Sequence, residues 1–171
     1  LSVGPKATGF AALAMLIGVA FARDHETLGI FLVLFVLASI VVGNLMALPQ
    51  RDVKRMLAFS GIAQIGYMLM GLVAGTELGL GTLGFYLVGY VATNMGAFFV
   101  LEAVAPDRAS VTLEDLDGLW KRSPRLALAI LLFVLSLAGI PFVVGFWAKL
   151  YVFMAVYEAW YGWLVFFGAL M

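Results

Sequence analysis

Residues 27–48 form an apolar run that no acidic or basic side chain interrupts, and Pro49 ends it. A helix that crosses the ~30 Å hydrocarbon core of a membrane needs about 20 such residues. Further long apolar segments occupy 56–74, 78–104 and 124–157. Only 12% of the chain is charged, whereas soluble domains carry about 25% charged residues. The sequence therefore predicts an all-α, polytopic transmembrane helix bundle.

The apolar segments divide the chain into one transmembrane domain with short connections. We predict helices at approximately 1–22, 27–48, 56–74, 78–104, 124–157 and 160–171. Because both ends of the chain lie within apolar sequence, we expect a fragment of a longer membrane protein. The polar stretch 106–123 is predicted to be a loop with a short amphipathic helix capped by Thr112, and an ordinary polar loop is the alternative.

The segment 124–157 is too long to be one transmembrane helix. As a continuous helix it would measure about 50 Å. Gly139 and Pro141 lie in its middle, so we predict a discontinuous helix that is broken near 139–141. Non-helical backbone inside a membrane requires protein or water to satisfy its polar groups, and interrupted helices often mark ion sites in transporters. A simple proline kink is the alternative interpretation.

Two lysines lie away from the predicted membrane edges. Lys149 is about 13 Å from the helix end near Glu158, and Lys6 lies within the first apolar segment. A charged lysine at the bilayer centre costs ~2.5 kcal/mol or more, so it usually faces the bundle interior or a hydrated path. Two such lysines can act as stations of a proton relay. The alternatives are a snorkelling role for Lys6 and a structural role for Lys149.

Other polar residues offer weaker signals. Tyr86, Tyr90 and Asn94 recur every four residues, so they share a helix face that either lines a hydrated path or bonds neighbouring helices. Ser60, Gln64 and Tyr67 share a face of segment 56–74 in the same way. His25, between two acidic residues on the outer side, is a weak candidate for a proton exit.

Composition excludes several functional classes. The chain has no cysteine and one histidine, which argues against disulfides, thiolate metal ligation and a histidine-rich metal site. Its net charge is zero and it has no long run of one sign, so we expect no nucleic-acid partner.

Basic residues are unevenly distributed between the two predicted sides of the membrane. The loops at 49–55 and 106–125 carry seven of them: Arg51, Lys54, Arg55, Arg108, Lys121, Arg122 and Arg125. The opposite loops carry only Arg23. The positive-inside rule therefore predicts that the basic loops face the cytoplasm, or the equivalent side of an organelle membrane.

Four motifs resemble a known family. They are GNLMAL (43–48), DVKRMLAFS (52–60), IAQIGYM (62–68) and LSLAGIP followed by GFWAK (135–149). Together they resemble the antiporter-like subunits of respiratory complex I, most closely the subunit N branch of bacterial proton-translocating NADH:quinone oxidoreductase, the counterpart of mitochondrial NADH dehydrogenase subunit 2. The subunit L and M branches carry His-x-x-x-His-x-x-x-Lys where this chain has Tyr86, Tyr90 and Asn94. This difference favours the subunit N branch and makes Lys6 the expected central proton site.

The resemblance implies a function for the longer protein. It would be a non-redox subunit of an enzyme complex in the bacterial inner membrane, moving protons through a lysine relay coupled to quinone reduction elsewhere. Lys149 would lie on a discontinuous twelfth helix. The resemblance implies no cofactor in this chain, FMN and iron–sulfur clusters in partner subunits, and other membrane subunits as neighbours. The alternatives are a multisubunit Na⁺/H⁺ antiporter, a related membrane-bound hydrogenase, or a structural subunit without an ion path.

Overall fold

The computed structural model describes residues 25–171 and, before them, only positions 5, 8–10, 12, 13 and 15. Side chains are described from residue 29 onward and at those earlier positions. Lys6 therefore lies outside the described residues, as do the side chain of His25 and most of the predicted helix 1–22. His25 is the first residue of the first described helix.

The described chain contains seven α-helices and no strand, which confirms the all-α fold. They are α1 (His25–Ala47), α2 (Val53–Val73), α3 (Glu77–Val104), α4 (Leu119–Arg122), α5 (Pro124–Ala138), α6 (Val144–Glu158) and α7 (Gly162–Leu170). Among the described residues, three stretches are long and apolar enough to cross a membrane: Gly29–Ala47, Val53–Val73 and Glu77–Val104. α5 and α6 take the place of one long helix, so the predicted discontinuous helix is present.

Helix α2 lies at the centre of this arrangement. It packs against α1, α3 and α6, while α3 packs against both α5 and α6. The buried side chains of α2 reach along its whole length, from Val53 to Val73. As a result, α2 and α3 together form the wall against which the two halves of the broken helix lie.

Close contact between α1 and α2 depends on glycine. A Cβ atom added to Gly43 would lie 2.9 Å from the Cα of Ala63, and one added to Gly66 would lie 3.1 Å from the carbonyl oxygen of Val36. Small residues allow helix backbones to approach in this way where lipid provides no hydrophobic drive for association. The packing of α1 on α2 therefore leaves no room for side chains at these positions.

The two basic loops meet at one end of the bundle. Val53 N donates to Val111 O at 2.8 Å and Leu113 N donates to Arg51 O at 3.3 Å, which pairs Asp52 with Thr112 in an isolated bridge. Both loops therefore lie on the same side, as the distribution of basic residues requires.

Asp52 also caps the start of α2. Its carboxylate accepts from Lys54 N at 2.8 Å and from Arg55 N at 3.3 Å. Burial raises the pKa of Asp52, but hydrogen bonds from Ser110 and from backbone N–H groups outweigh that effect and hold the pKa below its usual value. The carboxylate thus stays ionised where it stabilises the helix end.

The loop 106–123 differs from the single short amphipathic helix predicted for it. It contains a 3₁₀ turn, Glu114–Leu116, and the one-turn helix α4. The Asp115 carboxylate accepts from Thr112 N at 2.9 Å and from the Thr112 hydroxyl at 3.1 Å, so Thr112 does not act as the cap. Gly118, with φ +68, separates the two turns. Arg122 donates to the freed Asp115 carbonyl at 2.7 Å, which stabilises the interruption.

We expect the substitution Gly43→Ala to separate α1 from α2 and to destabilise the protein by about 1–3 kcal/mol through overpacking. The measurement is thermal unfolding of the purified membrane protein. Gly84→Ala is the matched control, because Gly84 lies on α3 with nothing within 4 Å of an added Cβ. Equal melting temperatures for the two variants would contradict the close packing described for Gly43.

Candidate functional site

The break between α5 and α6 begins with a regular helix ending. Gly139 follows the last residue of α5 with φ +80, in the left-handed conformation that glycine adopts without strain. Its N–H donates to Ser136 O at 3.1 Å, and Ile140 N donates to Leu135 O at 3.1 Å. These two bonds form a Schellman motif, which satisfies the carbonyls of Leu135 and Ser136.

Pro141 leaves a further carbonyl without a helical donor. Leu137 O would normally accept from the backbone nitrogen four residues later, which is Pro141 and carries no hydrogen. At the end of α5, the carbonyls of Leu137 and Ala138 therefore have no backbone N–H donor from the helix. Phe142 follows with φ +80, so the chain cannot resume its helix until Val144.

A hydroxyl pair connects the two half-helices to α3. The Ser136 hydroxyl accepts from Gly145 N at 3.1 Å and lies 3.3 Å from the Thr93 hydroxyl. Both hydroxyl side chains are buried. Because Ser136 is on α5, Gly145 on α6 and Thr93 on α3, this group fixes the relative position of all three helices.

Lys149 supplies the missing donors at the break. Its Nζ donates to Leu137 O at 3.3 Å and to Ala138 O at 3.2 Å. The carbonyl end of a helix carries roughly half a negative charge, which is complementary to an ammonium group. The ion pairs of the described residues are Lys54–Glu102 and Arg108–Asp115. In this part of the chain, Lys149 is therefore held by backbone carbonyls and has no carboxylate partner.

Tyr67 of α2 faces the same ammonium group. Lys149 Nζ lies 4.5 Å from the centroid of the Tyr67 ring, within the range of a cation–π interaction. The Tyr67 hydroxyl donates to Gly168 O of α7 at 3.0 Å. The ammonium group thus lies between the end of α5 and an aromatic ring.

Gln64 connects the break to the polar face of α3. Its Nε2 donates to Leu137 O at 2.9 Å, and its Oε1 accepts a hydrogen bond from the Tyr86 hydroxyl. Leu137 O therefore accepts from both Gln64 and Lys149. Gln64 and Tyr86 are both buried, so each polar group has a partner where water has little access.

Tyr90 and Asn94 form a second polar group on the same face of α3. Asn94 Nδ2 donates to the Tyr90 hydroxyl at 3.3 Å, while Asn94 Oδ1 is buried without a hydrogen-bond partner among the described residues. A small cavity of about 10 Å³ between Tyr86 and Tyr90 borders both groups, close to the volume that one water needs. The two groups are thus neighbours on this face of α3.

A much larger cavity adjoins the lysine. It measures about 750 Å³ and is open on one side. Its polar lining consists of Asn44, Ser60, Gln64, Tyr67 and Lys149. Lys149 is half-buried because one side of it borders this space. The arrangement can therefore expose a single cationic group to a polar cavity while holding it with fixed acceptors.

The structure brings together several residues that the sequence proposed separately. Lys149 contacts the break at Gly139, and Tyr86 connects to the break through Gln64. The spacing of Gln64 and Tyr67 predicts that they share a face, but it indicates no role for them. The roles of Thr93 and Ser136 were not predicted from the sequence. Among the described residues no group of three His, Cys, Asp or Glu side chains could hold a metal ion.

Comparisons with known proteins agree with the motif resemblance. The family model described as NADH:quinone oxidoreductase/Mrp antiporter, transmembrane, matches residues 1–171. NADH-quinone oxidoreductase subunit N 2 of Roseiflexus castenholzii is 42% identical over 179 residues, covering 100% of this chain and 36% of the relative. Subunit N of Moorella thermoacetica is 44% identical over 172 residues, with the same coverage. The chain thus spans 36% of the length of these relatives.

Two solved structures share the fold. One chain of the Mrp complex from a Dietzia species matches with a TM-score of 0.86 and 29% identity, covering 94% of this chain and 30% of that one. One chain of the membrane-bound sulfane sulfur reductase, an archaeal respiratory membrane complex, matches with a TM-score of 0.75 and 28% identity, covering 85% and 30%. With the match to the family model over residues 1–171, these likenesses show that the chain is a multi-pass membrane protein that belongs to the NADH:quinone oxidoreductase/Mrp antiporter transmembrane family.

Proposed function

We propose that this chain is part of a proton-translocating membrane subunit of NADH:quinone oxidoreductase, and that Lys149 is one of its proton-carrying groups. The observation that carries the proposal is the position of Lys149 Nζ, 3.3 Å and 3.2 Å from two carbonyls that the helix break leaves free. The names of the relatives, NADH-quinone oxidoreductase subunit N, support the choice of complex.

The site suits a group that gains and loses a proton. Backbone carbonyls accept hydrogen bonds from an ammonium group and from a neutral amine, so Lys149 can stay at the break in both states. The partial negative charge at the end of α5 stabilises the charged state without a fixed carboxylate. A carboxylate at hydrogen-bond distance would favour the charged state more strongly and oppose release of the proton.

Coupling would come from the movement of a partner charge, which changes the proton affinity of each lysine of the relay. Following the family resemblance, we assign Lys6 as the central proton site and propose that the two lysines form successive stations of the relay. Energy would come from quinone reduction elsewhere in the complex, transmitted as a rearrangement of charge. His25 stays a weak candidate for the exit on the outer side.

The polar face of α3 has a supporting part in the proposal. Tyr86, Tyr90 and Asn94 present hydroxyl and amide groups beside the break, and the cavity between the two tyrosines has room for about one water. We propose that these residues provide a polar wall beside the lysine, which lowers the cost of charge at this depth.

We also propose which subunits, cofactors and membrane surround this chain. Other membrane subunits of the complex would be its neighbours, and FMN and iron–sulfur clusters would reside in partner subunits, with no cofactor in this chain. It would be a non-redox subunit of the enzyme complex. The paired basic loops would face the cytoplasm across a bacterial inner membrane.

A subunit of a Na⁺/H⁺ antiporter is the second candidate, and the match to a chain of the Mrp complex at a TM-score of 0.86 favours it. Purification of the native complex separates the two candidates. Flavin and iron–sulfur clusters in the purified complex indicate the oxidoreductase, whereas sodium-driven proton exchange without them indicates the antiporter. A related membrane-bound hydrogenase would be recognised by hydrogen evolution.

We expect Lys149→Met to lower proton pumping and coupled NADH:quinone activity at least about tenfold in the assembled complex, because the variant has no group at the break that can carry a proton. Proton uptake by inverted membrane vesicles measures this loss. Lys121→Met is the control, since Lys121 is exposed on α4 and outside the proposed relay. Full pumping by an assembled Lys149→Met complex would refute the role assigned to Lys149.

We expect Gly139→Ala to disturb the lysine as well as the backbone. The substitution places an alanine at φ +80 and a Cβ atom 2.9 Å from Lys149 Cδ. Gly118→Ala is the matched control, because Gly118 has φ +68 and nothing within 4 Å. Both variants should lose about 1–2 kcal/mol of stability, and only Gly139→Ala should also lower pumping. Equal pumping by the two variants would contradict this prediction.

A further inference from the structure

Tyr67 is a buried aromatic residue with two specific contacts. Its ring faces Lys149 Nζ at 4.5 Å from the centroid, and its hydroxyl donates to Gly168 O at 3.0 Å. The side chain is only 4% exposed. A buried tyrosine in a helix bundle can serve only to fill space. Filling space, however, does not require the face of its ring to be directed at Lys149.

The ring and the carbonyls interact differently with the two states of Lys149. The carbonyls of Leu137 and Ala138 accept hydrogen bonds from the ammonium group and from the neutral amine alike. The face of an aromatic ring attracts a cation through its quadrupole and has no such attraction for a neutral amine. Both the carbonyl end of α5 and the ring therefore favour the lysine with its proton, and the ring is the contact that a single side-chain substitution can remove.

Neighbouring helices hold the ring in this orientation. Phe153 lies one turn after Lys149 on α6, and its ring meets that of Tyr67 edge to face, at 6.2 Å between centroids and 61° between planes. The hydroxyl bond to Gly168 adds an attachment to α7. Since two contacts from two helices fix the side chain, the ring stays beside the break while Lys149 changes state.

Helix α2 contacts both parts of the lysine site through one face. Gln64, three residues before Tyr67, donates to Leu137 O at 2.9 Å, the same carbonyl that Lys149 uses. Residues three apart on a helix are neighbours on its surface. α2 therefore supplies a donor that fixes one acceptor of the lysine and a ring that faces the lysine itself.

We propose that Tyr67 is a positioning residue for Lys149, holding the protonated side chain at the helix break through the face of its ring. This inference rests on the proposed function of Lys149 as a proton-carrying group. Tyr67 acts through the lysine and carries no proton itself in this assignment. The aromatic ring, and not the hydroxyl, is the part that matters for pumping.

The test compares variants of the complete subunit in the assembled complex. Proton uptake by inverted vesicles is measured for Tyr67→Leu, Tyr67→Phe, Phe153→Leu and Lys149→Met, and for the double variant Tyr67→Leu with Lys149→Met. Phe153→Leu is the matched control, because it removes the same edge-to-face contact while the ring of Tyr67 is still present and its hydroxyl keeps the bond to Gly168. Tyr67→Met, which is apolar and flexible, replaces Tyr67→Leu if the leucine variant does not assemble.

We expect Tyr67→Leu to lower pumping about two- to fivefold, the range for losing one cation–π contact. Tyr67→Phe should restore most of that loss, although it removes the bond to Gly168, and Phe153→Leu should have a clearly smaller effect. In the Lys149→Met background, Tyr67→Leu should add nothing further, since a residue that acts through the lysine has no effect without it.

The outcomes separate this inference from the proposed function. If Lys149→Met alone leaves pumping intact, the proposed function fails, and the inference fails with it. If Lys149→Met abolishes pumping but Tyr67→Leu pumps as well as Phe153→Leu, only the assignment to Tyr67 is overturned. A Tyr67→Phe variant as impaired as Tyr67→Leu would also overturn it, because the hydroxyl would then be the important group.

Discussion

The contact between Lys149 and the end of α5 is the interaction on which the site depends. Pro141 removes the donor that Leu137 O would use in a continuous helix, and the left-handed Gly139 turns the chain away. A free carbonyl inside a membrane is costly, and so is a lysine. Each is the partner the other needs, since Lys149 Nζ reaches Leu137 O and Ala138 O at 3.3 Å and 3.2 Å. The break and the lysine are therefore one structural unit.

The magnitudes are consistent with this account. A lysine at the centre of a membrane helix costs about 2.5–3.5 kcal/mol on insertion scales. A hydrogen bond from a charged group contributes about 1.5–3 kcal/mol, and a cation–π contact contributes about 0.5–2 kcal/mol. Two bonds to carbonyls and one ring face are thus of the size needed to offset the cost. Lys149 can remain at the break as a cation without a buried carboxylate.

Much of the fold could be predicted from the sequence because membrane helices obey simple rules of length and polarity. The uncharged run 27–48 and the break between Gly139 and Pro141 correspond to α1 and to the gap between α5 and α6. The loop 106–123 was harder, because the pattern that predicts one short amphipathic helix there gave no sign that Gly118 would separate two turns.

The candidate site was predictable only in part, for a physical reason. An isolated lysine is visible in any apolar segment, but its acceptors are backbone carbonyls, which leave no mark on residue type. Gln64 and Tyr67 are 73 and 82 residues away from Leu137 and Lys149 in the chain, respectively. Their shared face on α2 was readable from their spacing, whereas the partner of that face depends on how α2 packs against α6.

The directions of the hydrogen bonds from α3 show what this branch does at the break. Tyr86 donates to Gln64 Oε1, and Gln64 Nε2 donates to Leu137 O, so this branch ends at a carbonyl that has no proton to pass on. A side-chain amide does not titrate in the physiological range. The branch therefore anchors the break, while the half-buried side chain of Lys149 borders the 750 Å³ cavity on its other side.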